Sequence, residues 1–227
     1  DAITWAILIG CYADQGNDQE ALNCFKEMQE QGISPVVGTI CNIQKVLGNL
    51  GATTAGQSMH CLLVKQGLEG ETPIANMFLD MYAKCGMLAK ALAVLKELHV
   101  RDVVSWNVII SEHVKQGQCY EAMKCYENMK REGLSPDRVT FICILKACGG
   151  TRSIDIGKQV NEEIVKAGFL QKNVVVGSAL VDMYIKCGML TKAQQVLEEL
   201  RIRDSATWNA IIGAYVQEGK GHKALEC

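Results

Sequence analysis

VVSWNVIISEHVKQGQCYEAMKCYENMKREGLSPD, residues 103–137, holds two helical periods separated by a break. Trp106, Ile109, Ile110 and Val114 fall at the three- and four-residue spacing of one helix face. After the break at Gly117, Tyr120, Met123, Tyr126 and Met129 repeat the pattern. The stretch therefore predicts a helical hairpin, closed by Gly133, Ser135 and Pro136, since glycine sits easily just past a helix end and proline cannot continue one. A single hairpin of this size cannot bury its apolar stripe, so copies must stack on either side.

Those copies are present. Trp5, Trp106 and Trp208 are spaced by 101 and 102 residues, and DMYAKCGML at residues 80–88 returns as DMYIKCGML at 182–190 with one change in nine. Each long period divides into three hairpins where the glycine and proline punctuation and the helical pattern restart. The expected units are 2–36, 37–71, 72–102, 103–137, 138–173, 174–204 and a partial one at 205–227, forming a single array over residues 1–227. Compact residues recur in the second helices, at Ala21, Ala122 and Ala224 and at Ala91 and Ala193, where close helix approach is expected. Lys26 with Glu30 and Glu127 with Arg131 have the spacing of solvated surface ion pairs.

The bulk numbers constrain function. A chain of 227 residues with 48% hydrophobic content can build a sizeable core. Its formal charge of −2 gives no indiscriminate grip on nucleic acid, so any such role must rest on placed residues. The 11 cysteines are odd in number and form no C-x-x-C pair, and Cys85 and Cys187 stand where the pattern wants a small apolar residue. Packed, reduced thiols are the expectation. No apolar run reaches the length of a membrane span, and the first residues lack signal or transit features, though the chain starts and stops inside the pattern. His60, His99, His113 and His222 have no recurring nucleophile or carboxylate beside them and read as helix-surface or loop residues. No phosphate-binding glycine loop and no deaminase zinc signature occurs, so no enzyme activity, cofactor or metal is expected within the chain.

SWNVII, TWNAII, EGLSPDRVTF and the paired DMY-x-KCGML segments together resemble the pentatricopeptide repeat family, in particular its plant PLS subclass, in which 35-residue P, 35- or 36-residue L and 31-residue S motifs alternate. Tetratricopeptide arrays share the hairpin but fit the period, the Trp-Asn opening and the Ser-Pro-Asp closing poorly. The resemblance covers essentially the whole chain. It implies an all-α, right-handed superhelical solenoid of antiparallel helix-turn-helix repeats that binds single-stranded RNA, one base per repeat. It assigns the P type to 2–36, 103–137 and 205–227, the L type to 37–71 and 138–173, and the S type to 72–102 and 174–204.

The family reads a base mainly through the fifth and last residues of a motif. Carried over, these are Asn76 with Asp102, Asn107 with Asp137, Ser178 with Asp204, and Asn209 with its partner missing. Asn with Asp implies uracil, Ser with Asp implies guanine, and the seventh unit implies a pyrimidine. The second residue is expected to wedge between bases, here Val104 and Val175, with Pro73 in the third unit. The thirteenth is expected to meet phosphate, here Lys84, Lys115 and Lys186. Each position also has a plain structural reading: Asp as a helix cap, Val as packing, Lys as a partner of the helix dipole. The first unit departs from the pattern, with Ala6 and Val36 at the reading positions and Asp14 in place of lysine. The L units carry Cys41 with Glu71 and Ile142 with Asn173, where base preference in the family is unreliable.

The expectation is thus a sequence-selective RNA-binding array of a plant mitochondrion or chloroplast, directing C-to-U editing or other RNA processing. Its partners would be single-stranded organellar RNA and editing or processing protein factors, with no membrane. A protein-binding helical scaffold in an organellar complex is the alternative, because helical solenoids also bind peptides and subunits.

Overall fold

In a computed structural model of the chain, which describes residues 1–52, 56, 57, 60, 72–201 and 204–226, every regular element among the described residues is a helix. The chain divides into two compact units, Asp1–Glu112 and His113–Cys227. The expected second helix of the 37–71 unit lies outside the described residues.

The first unit contains α1 (Ala2–Asp14), α2 (Asp18–Glu30), α3 (Val37–Asn49), α4 (Thr72–Lys84) and α5 (Leu88–Glu97), and most of α6 (Val103–Lys115). The second contains α7 (Cys119–Arg131), α8 (Arg138–Thr151), α9 (Ile154–Lys166), the short α10 (Phe169–Lys172), α11 (Val174–Lys186), α12 (Leu190–Glu199), α13 (Ser205–Gln217) and α14 (Gly221–Glu226). In the first unit α1 packs on α2 and α3, α3 on α4, and α4 on α5; in the second α8 packs on α9 and α11, and α11 on α12 and α13. First helices of successive hairpins therefore form a row within each unit, and second helices back it.

Capping sets where the first helices begin. Asp1, Asp102, Asp137, Asn173 and Asp204 each accept a bond from the backbone N–H three residues on, at 2.6–3.3 Å, satisfying one donor that the helix cannot. At Asp137 the Thr140 hydroxyl returns the bond, completing a capping box. The KCGML ends have a matching cause. Gly86 and Gly188 adopt φ of +70° and +74°, and Met87 and Met189 reach back five residues to Tyr82 and Tyr184 at 2.8 Å. That reversal needs a left-handed residue, which glycine supplies without strain.

The core lies between the rows. Ile9, Ile43, Leu79, Ile144, Leu180 and Ile211 of the first helices are fully buried, as are Ala21, Met28, Ala91, Ile164, Ala193 and Leu197 of the second. Each large side chain of this kind contributes about 1.5–3 kcal/mol on burial. Of the five alanines expected at close helix approaches, Ala21, Ala91, Ala122 and Ala193 have no exposed surface, whereas Ala224 in the last helix is half-buried. Tyrosines bolt the rows together: Tyr82 bonds His60 at 2.9 Å, Asn161 donates to Tyr184 at 3.1 Å, and Tyr215 donates to Gln194 at 2.6 Å. In the second row Tyr126 and Lys130 both donate to Glu163, at 2.7 Å each. Burial and the facing Glu163 carboxylate push the Tyr126 hydroxyl well above its ordinary pKa, so it remains a donor.

Two surface expectations need correction. Arg131 donates to Asn128 at 3.4 Å, and Glu127 lies 3.9 Å from Lys130, so the Glu127–Arg131 pairing gives way to contacts one residue closer. His113 is buried, its ring 2.8 Å from the Gln118 side chain across the turn, and His60 stacks on Phe78. These two histidines fill polar gaps between helices, which periodicity alone does not separate from a surface position.

At Gly149 two first helices approach closely: a Cβ there would stand 3.5 Å from the Met183 backbone and 3.0 Å from the Lys186 stem. Gly149→Val adds two further carbons and forces α8 and α11 apart. Urea unfolding followed by circular dichroism is expected to show a loss of about 1–3 kcal/mol.

Candidate nucleic-acid interface

Positions two, five, nine and thirteen of a thirteen-residue helix are three or four residues apart and share one face. In α4 this face carries Asn76, Asp80 and Lys84, in α3 Cys41 and Lys45, and in α11 Val175, Ser178, Asp182 and Lys186. Exposed aliphatic residues open it. Val104 and Val175 are each 55% exposed, whereas Ile109 and Ile110 of α6 and Leu180 and Val181 of α11 are fully buried. The structure adds Ile3 and Val139 at the same register, 65% and 40% exposed. Sequence reasoning passed over both, although their spacing from Val104 and Val175 was there to find them. The Pro73 side chain and Glu71 lie outside the described residues.

Two pairs of reading positions are joined. Asn76 Nδ2 donates to both carboxylate oxygens of Asp102 at 3.1 Å, while Asp102 Oδ1 caps α6 through the Ser105 N–H at 2.8 Å. The Asn76 Oδ1 is buried and finds no donor among the described residues. Ser178 Oγ lies 3.0 Å from both Asp204 Oδ2 and the Val174 carbonyl and 2.8 Å from Thr207 Oγ1. Asp204 also receives the Thr207 N–H at 2.6 Å and the Thr207 hydroxyl in a short bond. Thr207's side-chain and backbone donors, and behind them Ser178, hold the Asp204 carboxyl below its ordinary pKa against the opposing effect of burial. Asn107 is buried in α6, Asp137 caps α8, and Asn209 is exposed on α13.

The Asn76 face lines a cavity of about 440 Å³. Cys41, Asn42 and Lys45 of α3 form one wall, Met77 and Asp80 continue from Asn76 on α4, and Val104 and Val108 of α6 form the other. Such a space offers apolar walls, two held amides at Asn42 and Asn76, the Lys45 cation and the Asp80 carboxylate. The lysines at position thirteen are engaged. Lys84 pairs with Asp80 at 2.8 Å and Lys186 with Asp182 at 2.7 Å, each one helical turn back, and their stems lie along Gly48 and Gly149 of the preceding first helix. Lys115 is exposed at the end of α6.

The other polar and nucleophilic groups build structure. The described cysteines are free thiols. Burial pushes Cys125 to about 11 and Cys148 to about 12, leaving both protonated. Cys85 and Cys187 sit just past their helices, with sulfur 4.0 and 3.9 Å from the Leu47 and Cys148 carbonyls of the neighbouring first helix. Among the described residues no group of three or more His, Cys, Asp or Glu could hold a metal ion, and no helix is long and apolar enough to cross a membrane.

Fold and face together define a class: an all-α solenoid of helical hairpins whose first helices carry one periodic polar and aliphatic row. Residues 101–150 match the PPR repeat family, and residues 3–33, 74–103, 178–204 and 206–227 match the PPR repeat. These stretches cover more than half of the chain, which belongs to the pentatricopeptide repeat family. Similar proteins include three pentatricopeptide repeat-containing proteins of Arabidopsis thaliana. One is 34% identical over all of this chain and 31% of its own length, a chloroplastic one is 32% identical over all of this chain and 36% of its own, and a mitochondrial one is 33% identical over all of this chain and 33% of its own. The chain thus spans about a third of the length of these curated relatives. Among solved structures, the pentatricopeptide repeat protein PPR10 in complex with an 18-nt psaJ RNA element has the same fold, with a TM-score of 0.82 and 21% identity over all of this chain and 35% of that one. PPR10 from maize matches with a TM-score of 0.62 and 20% identity over all of this chain and 38% of that one.

Because the folded pKa of Asp204 lies below the unfolded one, its ionised form adds stability above the unfolded value, and that contribution is lost as pH falls through the folded value. Asp204→Asn keeps a capping oxygen and removes the titration. Urea unfolding from pH 7 to 3 is expected to show a stability difference between wild type and variant that is flat near neutrality and shrinks below about pH 4.

Proposed function

We propose that the chain is a sequence-selective reader of single-stranded RNA, one base per repeat over seven repeats of which the last is partial, built on the alternating P, L and S pattern. The observation that carries this reading is the recurrence, in register, of a fifth-position side chain tied to the terminal carboxylate of its own repeat. Asn76 with Asp102 and Ser178 with Asp204 are two chemically different versions of that bond, made at 3.0–3.1 Å on faces that also present Val104 and Val175 to solvent. Asp102 holds the amide through Nδ2 and leaves Oδ1 as an acceptor, which the N–H of a uracil edge suits. Ser178 and Asp204 present a hydroxyl and a carboxylate oxygen, which suit the donor-rich edge of guanine.

The assignments are uracil at the repeats of Asn76 and Asn107, guanine at that of Ser178, and a pyrimidine at that of Asn209. Val104 and Val175 flank the bases, joined by Ile3 and Val139 at the same register, and such sandwich contacts contribute about 1 to 3 kcal/mol per base. Lys84, Lys115 and Lys186 face the phosphates, the first and last by exchanging Asp80 and Asp182 for the RNA backbone. Relatives named as chloroplastic or mitochondrial support a plant organelle as the site of action, and binding without catalysis suits a role in directing C-to-U editing or another processing step together with protein factors. The RNA-bound relative of the same fold supports single-stranded RNA over a protein ligand.

Fluorescence anisotropy with short labelled RNAs tests this directly. RNA carrying UU opposite the repeats of Asn76 and Asn107 is expected to bind more tightly than the same RNA carrying AA, and Asn76→Ala is expected to erase the difference at its own nucleotide. Equal affinities for UU and AA would contradict the base assignments.

A further inference from the structure

The position-thirteen lysine fails in α1, where Asp14 takes its place. The structure shows what stands opposite: Lys45, at position nine of α3, reaches Asp14 with an Nζ–Oδ1 distance of 2.9 Å. The first repeat has therefore lost its cation while a neighbouring helix supplies one at the same place. Lys45 also lines the cavity that holds Asn76, Cys41 and Val104, whereas the cavity's own carboxylate, Asp80, is neutralised by Lys84 at 2.8 Å.

We propose that Lys45 is the phosphate contact for the strand whose base enters the Asn76 cavity, and that Asp14 parks this lysine until the RNA backbone replaces it. The inference rests on the RNA-reading function proposed above and adds a residue that lies outside the position-thirteen series. The exchange is energetically easy. The Lys45 and Asp14 side chains are 50% and 77% exposed, and an ion pair in that setting contributes little, since water screens it and two side chains must be ordered to make it. A phosphodiester offers several acceptor oxygens and releases counterions when neutralised. The second long period repeats the arrangement with the acid gone: Lys115 and Lys146 occupy the positions of Asp14 and Lys45, and both bear electrostatically on Cys143, which stands where Asn42 stands in the first. The two periods thus hold one parked cation and one doubled cation at matching register.

The test is RNA affinity against salt for the whole chain and for Lys45→Gln, Lys45→Arg and Asp14→Asn, with melting curves to establish that each variant folds. Lys45→Gln is expected to weaken binding at low salt and make the log–log salt slope shallower by about 0.7, the share of one phosphate contact on a single strand. Lys45→Arg is expected to restore both, and Asp14→Asn to tighten binding by releasing the lysine. If Lys45→Gln leaves affinity and slope unchanged while Asn76→Ala still alters base preference, Lys45 is a structural partner of Asp14 only and the proposal is overturned, with the reading function intact. If wild-type protein binds no single-stranded RNA of any tested sequence, the functional reading fails and this proposal with it.

Discussion

One carboxylate does two jobs at the junction between repeats. Asp102 starts α6 by accepting the Ser105 N–H, and the same group grips the amide of Asn76. Asp204 starts α13 through Thr207 and holds Ser178. An unsatisfied helix terminus demands an acceptor at this point whatever the protein does. The fifth residue of the preceding first helix needs only to come within reach to be oriented by it. Helix initiation and side-chain orientation are therefore coupled, and the regular spacing of the hairpins carries the coupling from one repeat to the next. Where the acid is missing, as at Val36, α3 begins without a side-chain cap, and Ala6 on the first helix of that repeat offers no polar group to orient.

The all-α architecture was legible because its determinants are local and repeated. Apolar spacing fixes the helices, the Gly86 and Gly188 reversals end them, and three tryptophans with two near-identical nonapeptides give the long period. The helices at Ala2, Val103, Arg138, Val174 and Ser205 begin where a side-chain cap and the apolar face agree in placing them. Local agreement of this kind is what makes a sequence specify one packing. Less legible were contacts between hairpins. Whether a histidine fills a gap beside a tyrosine or lies on the surface depends on residues about twenty positions away, as with His60 and Tyr82.

The candidate site divides in the same way. Val104, Asn76 and Lys84 could be named because the family resemblance marks positions two, five and thirteen of a motif. Their states could not. The pairing of Lys84 with Asp80 and of Lys186 with Asp182 is written in DMY-x-K as an i, i+4 pair, yet the same spacing failed for Glu127 and Arg131, so spacing alone does not decide which pairs form. Lys45 was invisible because its role depends on α1 and α3 lying side by side, thirty-one residues apart in sequence. The face alternates fixed polar groups with exposed aliphatic ones, and Lys45, Lys84 and Lys186 on it are paired with Asp14, Asp80 and Asp182. Charge confined to placed residues is compatible with a near-neutral chain.

The central claim is that the fifth residue, oriented by the terminal carboxylate, sets the base. Replacing Asn76 with Ser gives the third repeat the Ser–Asp pair found at Ser178 and Asp204, without touching the cap of α6. Affinities should then be measured for four RNAs differing only in the nucleotide opposite that repeat. The account predicts that preference at this nucleotide moves from uracil to guanine while preferences at the other repeats stay as they were. A uniform loss across all four bases, or an unchanged ranking, would contradict it.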